Sequence, residues 1–126
     1  MKHLMIVLLA TSSLLITTDQ SLDGISKAMK SGDAASLSQY FDADIELTIL
    51  NDVDILSKQA AKKEIDSFFK KNAPSGYAQL HQGISKGQQG QYSIGNLSTK
   101  NGKFRVYIYM KVEGDKHLIQ ELRFEE

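Results

Sequence analysis

Apolar positions along the chain switch between two periods, and the switches divide it into elements. From Ser21 to Ser31, Leu22, Ile25, Ala28 and Met29 recur at spacings of three and four, which predicts a helix with one apolar face. Gly32 follows where a left-handed helix end favours glycine. Asp33 stands at an N-cap position for a second, short helix carrying Ala34, Leu37, Tyr40 and Phe41, expected to end near Phe41. From Ala43 the period drops to two: Ile45, Leu47 and Ile49 alternate with Asp44, Glu46 and Thr48, the pattern of a half-buried strand. Asn51 and Asp52 should turn it into a short second strand, Val53 to Leu56.

Ser57 predicts the N-cap of a third helix whose buried side is Ala61, Ile65, Phe68 and Phe69. Lys70 and Lys71 suit its C-terminal dipole, and Asn72 with Pro74, the only proline, ends it. Everything beyond Gly76 reads as strand: Tyr77 to Ser85, Gln91 to Thr99, Phe104 to Glu113 and His117 to Phe124. Lys86 to Gly90, Asn101-Gly102 and Gly114-Asp115 separate them. Asn-Gly predicts a type I′ hairpin turn, which needs positive φ at both central residues, so the four strands should form an antiparallel meander. The class is α+β.

The first twenty residues follow neither period. Met1, Lys2 and His3 precede an apolar run from Leu4 to Ile16, and Thr17 to Gln20 are polar, which is the profile of a signal peptide. The run is shorter than the ~20 residues a spanning helix needs, and Thr11, Ser12 and Ser13 interrupt it. The alternative is an N-terminal helix of the domain itself. The expected organisation is therefore a leader over residues 1–20, cut between Ile16 and Gln20, and one domain over 21–126, exported to the periplasm or secreted. With no cysteine, neither disulfides nor a lipid-modified N-terminal cysteine can contribute, so packing must hold the domain together. Acidic and basic residues balance at 15 each, which argues against nucleic-acid binding and against attraction to a membrane surface after cleavage.

The element order α-α-β-β-α-β-β-β-β resembles the nuclear-transport-factor-2-like superfamily, of cystatin-like cone shape. Within it, Ser31-Gly32-Asp33, Gln39-Tyr40-Phe41-Asp42, Leu80-His81-Gln82-Gly83 and Phe104-Arg105-Val106-Tyr107-Ile108-Tyr109 look like a family of small exported domains from Bacteroidetes, the DUF4783-like domains of unknown function. The resemblance implies a curved antiparallel sheet wrapped around three helices. It also implies a pocket between helices and sheet, used across the superfamily as an enzyme site, a small-molecule site or an interaction surface. Fold alone selects none of these.

Tyr40, Phe41, Phe69 and His81 are the candidates to line such a pocket. His81 shares strand parity with Tyr77 and Gln79, so facing inward it could act with Asp42 or Tyr40 as an acid–base pair; otherwise a strand histidine makes a structural hydrogen bond. His117 lies beside a turn and should be solvated. No cysteine nucleophile, Gly-x-Ser-x-Gly elbow, His-x-x-x-His pair or glycine-rich phosphate loop occurs, and Asp52 and Asp54 lack the remaining ligands of a calcium loop. No cofactor or metal is expected.

On the strand from Phe104, residues Phe104, Val106, Ile108, Met110 and Val112 share the face expected against the helices. Arg105, Tyr107, Tyr109 and Lys111 share the other: a strip of two tyrosines between two cations, either an interface or a solvated sheet face steadied by aromatic pairs with Tyr92. These features lead to an exported, non-enzymatic domain that binds a small molecule or another envelope protein. The alternatives are a small hydrolase, isomerase or dehydratase using His81 and Asp42, and an envelope scaffold that dimerises through the open sheet face.

Overall fold

A computed structural model of the chain describes residues 20–84 and 90–126. The expected leader therefore lies outside the described residues except for Gln20, as does the loop at 86–90 except for Gly90. The elements are α1 (Gln20–Ser31), α2 (Ala34–Ser38), β1 (Phe41–Ile49), β2 (Asp52–Ser57), α3 (Lys58–Lys71), β3 (Pro74–Ile84), β4 (Gly90–Thr99), β5 (Gly102–Glu113) and β6 (Lys116–Glu125). Among the described residues no helix is long and apolar enough to cross a membrane.

Local chemistry sets the boundaries. Gly32, at φ 65°, ends α1 in the paired bonds of a Schellman motif: its N–H donates to Met29 O (3.2 Å) and that of Asp33 to Ala28 O (3.0 Å). Asp33 caps α2 by accepting from Ser36 N at 3.0 Å, and Ser57 caps α3 by accepting from Ala60 N at 3.3 Å. Helix α2 stops at Ser38 rather than near Phe41, because Phe41 already pairs with Ile119 as the first residue of β1.

The six strands form one curved sheet in the order β2-β1-β6-β5-β4-β3. Neighbours run antiparallel except β1 and β6, which are parallel and correct the expectation of a wholly antiparallel sheet. The reason is topological: α3 carries the chain to the far edge, and the three hairpin reversals of the meander bring β6 back beside β1 pointing the same way.

Two turns also depart from expectation. Leu50 and Asn51, not Asn51 and Asp52, make the β1–β2 turn, with Leu50 at φ 57° and its N–H donating to Phe124 O at 2.9 Å. Between β4 and β5 the turn residues are Lys100 and Asn101, and the positive φ falls on Gly102 (115°), so the turn is not type I′. Asn101 is occupied elsewhere: its amide nitrogen donates to Lys71 O and to Asn72 Oδ1, each at 2.9 Å, holding the end of α3.

The helices cover one face of the sheet. Phe104, Val106, Ile108 and Met110 of β5 are buried with Leu22, Ile25, Met29, Leu37, Ile65, Phe68 and Phe69. Phe68 packs between Phe104 (ring centroids 5.2 Å, edge-on) and Phe124 (4.6 Å). Val112, expected on this face, is exposed.

Candidate functional site

The strand register places each candidate. Phe41 and Phe69 are 2% and 4% exposed and belong to the core itself. Tyr40 packs against that core from its margin, its hydroxyl lying where a side chain on Gly24 would sit. His81 is not with them. A bulge at Leu80 shifts the β3–β4 register, so that Gln79 opposes Gly95 whereas His81 opposes Ile94, which itself opposes Tyr107. Tyr77 and Gln79 thus face the helices while His81 is exposed on the outer face, which corrects both the shared parity and the pocket built on it.

Asp42 lies on β1, four strand spacings from β3, ~19 Å at about 4.8 Å each. It accepts from Gln120 Nε2 (3.1 Å) and the Ala43 N–H (2.8 Å), which hold its carboxyl below the usual carboxylate range. His81 and Asp42 therefore form no acid–base pair in this fold.

Tyr77 is a largely buried titratable side chain on the helix-facing side. Its ring lies over Gly95 and burial pushes its phenol up to about 12, opposed by the Ser93 hydroxyl beside it. That neighbour is outside bonding geometry, leaving the Tyr77 hydroxyl without a hydrogen-bond partner.

The strip on β5 is brought together as expected and proves broader than one strand. Arg105 opposes Asn96 and Glu125, Tyr107 opposes Ile94 and Arg123, and Tyr109 opposes Tyr92 and Glu121, all on the outer face. Glycine supplies its floor. The Tyr92 ring lies over Gly83 and the Tyr109 ring over Gly90, each occupying the space a Cβ on that glycine would need. A shallow cavity of about 200 Å³ runs between Tyr92, Ile94, Tyr107, Tyr109, Glu121 and Arg123.

Polar groups ring this aromatic centre. The Arg123 guanidinium sits 5.7 Å from the centroid of the Tyr107 ring and pairs with Glu125 at 2.6 Å. Arg105 Nε donates to Asn96 Oδ1 at 3.1 Å, and Lys111 pairs with Glu113 at 3.0 Å, which raises the lysine's pKa. Tyr92 is the most open aromatic residue of the group, at 41% exposure. The β5 alternation was enough to find Tyr107 and Tyr109. Ile94 follows from the unbroken β4–β5 register, whereas Glu121 and Arg123 required the register of β6, which the bulge between Tyr109 and Met110 on the β5–β6 pair keeps out of reach of simple parity.

The comparisons agree on the family. The family described as "Domain of unknown function (DUF4783)" matches residues 22–125. A DUF4783 family protein from Bacteroides ovatus is 32% identical, with a TM-score of 0.77 over 82% of this chain and 92% of its own. One from Bacteroides fragilis is 30% identical, with a TM-score of 0.76 over 82% and 95%. At 13% identity, an NTF2-like protein of unknown function from Shewanella baltica shares the fold, with a TM-score of 0.65 over 84% and 87%. No curated protein matches. The chain belongs to the DUF4783 family, domains of unknown function built on the nuclear-transport-factor-2-like cone.

Proposed function

We propose that this is an exported, non-catalytic interaction domain whose working surface is the outer face of the sheet and whose occupant there is a second copy of the chain. The observation that carries the reading is the aromatic platform: Tyr92, Tyr107 and Tyr109 gathered around a shallow cavity, two of them laid over glycine. An aromatic centre with a rim of charged and amide groups is the anatomy of protein interfaces. The rim carries both signs, Arg105, Lys111 and Arg123 against Glu121 and Glu125, so the face complements itself.

The interior supports a non-catalytic role. Among the described residues the buried polar side chains are Ser38, Thr48, Asn72 and Ser93, none of which titrates near neutral pH. Export rests on the leader pattern of residues 1–20, and N-terminal sequencing of the secreted protein tests it: a chain still starting at Met1 would overturn it.

Sedimentation across a concentration series tests the surface. The domain should associate as concentration rises, and Tyr107→Lys with Tyr109→Lys should stay monomeric with its unfolding midpoint nearly unchanged. A wild type that is monomeric at millimolar concentration would remove self-association as the role of this face.

A further inference from the structure

The two edges of the sheet differ. β3 is guarded: it begins with Pro74, and its pairing with β4 is broken twice, after Pro74 and at Leu80. β2 is not. It pairs with β1 through six successive residues, Asp44↔Ser57 to Ile49↔Asp52, without a bulge, and its other side, with every second N–H and C=O, faces no strand among the described residues. Its side chains divide by sign and polarity. Val53 and Ile55, 57% and 77% exposed, lie on the outer face opposite Thr48 and Glu46. Asp54, opposite Leu47, and Asp52, opposite Ile49, point to the helix side. There, with Glu64 of α3, they rim a cavity of about 290 Å³ floored by Leu47, Ile49 and Leu56. Among the described residues none of these three carboxylates has a cationic partner.

We infer that the free edge of β2 is a strand-addition site for an extended segment in which lysine or arginine alternates with apolar residues. An added strand presents alternate side chains to the two faces, so its apolar residues would lie beside Val53 and Ile55. Its cations would enter the carboxylate-rimmed cavity, their stems along Leu47, Ile49 and Leu56 and their heads at Asp52, Asp54 and Glu64. The same carboxylates discourage a second β2 from pairing here. Antiparallel registers centred on Val53 or Asp54 set aspartates directly opposite one another, ~5 Å apart.

The test uses a fluorescein-labelled, end-blocked octapeptide of alternating lysine and valine, titrated into the domain by anisotropy, with amide shifts and hydrogen exchange read by NMR. Binding is expected with shifts and new protection at residues 52–57. The Asp52→Asn, Asp54→Asn double variant, altered only at exposed side chains, should bind at least about tenfold more weakly, ~1.4 kcal/mol. Alternating glutamate and valine should not bind. Equal affinity for a peptide of the same composition with its lysines and valines in separate blocks would overturn the inference, because alternation would then be irrelevant. So would affinity unchanged in the double variant, or shifts confined to Tyr92, Tyr107 and Tyr109.

Discussion

The two faces of β5 are built from the same twelve residues and have opposite fates. Toward the helices, Phe104, Val106, Ile108 and Met110 are buried in the apolar core. Away from them, Tyr107 and Tyr109 are half-buried, with Tyr92 and Ile94 on one side and charged Glu121 and Arg123 on the other. Burial of the first set removes apolar area from water and stabilises the fold. The second set keeps part of its apolar area exposed in one patch, a state that serves binding better than folding. Under the proposed function the contrast divides stability on one face from recognition on the other, and that division can be broken by substitution.

The largest effect should come from the inner face. Phe124 is fully buried against Phe68 and Phe69, and Phe124→Ala should cost ~3–5 kcal/mol in urea unfolding through lost transfer energy and a residual cavity. A cost below about 1 kcal/mol would mean that the aromatic cluster is not the centre of the core. Next comes Tyr77, and its effect depends on pH. Below pH ~10 the phenol is neutral in both the folded and the unfolded chain, so its contribution is constant. Between ~10 and the folded value of about 12 the unfolded chain gives up the proton while the folded chain keeps it, so stability falls as pH rises, by roughly 2–3 kcal/mol in all. Tyr77→Phe should flatten that part of the profile relative to wild type. At neutral pH it should cost nothing, since the hydroxyl it removes has no hydrogen-bond partner. Retention of the alkaline loss in the variant would trace it to other groups.

A matched pair of glycines compares the faces directly. A methyl on Gly95 would come within 2.8 Å of Tyr77 Cε2, and one on Gly83 within 2.6 Å of Tyr92 Cε1. The overlaps are alike, but Tyr77 is held against the core whereas Tyr92 can swing into solvent. Gly95→Ala should therefore cost ~1–3 kcal/mol and Gly83→Ala less than about 1 kcal/mol by thermal unfolding. Equal costs would show that the outer tyrosines are as rigidly packed as the inner ones.

How far the sequence disclosed this arrangement depends on which physics was local. The end of α1 and the starts of α2 and α3 were legible, since Gly32, Asp33 and Ser57 act within four residues of themselves, and so was the division of β5, because alternation needs no partner strand. The direction of β6 was not, because it follows from the whole meander. The face of His81 was lost to one extra residue at Leu80 that no short pattern marks. Asn101 looked like a hairpin residue because the sequence cannot show that its side chain holds the end of α3, thirty positions upstream of it. The pocket candidates came apart for a related reason. Phe41 and Phe69 have the periodicity of core residues, and core is what they became; only a resemblance to other cones had suggested an opening between them.

The smallest stability effect belongs to Arg123, where it separates the faces most sharply. Its pairs with Glu125 and Glu121 are exposed, and exposed pairs contribute ~0–1 kcal/mol, screened by salt. Its place over Tyr107 adds a cation–π contact of about 0.5–1 kcal/mol. Arg123→Gln should then shift the unfolding free energy by less than about 1 kcal/mol, and less still in 1 M salt, where the Debye length shrinks to ~3 Å. Arginine centred in an aromatic interface is a residue on which binding energy concentrates, so the same change should weaken self-association about tenfold or more. A variant that loses stability but associates as before would reverse the assignment, making Arg123 a brace for the sheet and moving the interface away from Tyr107.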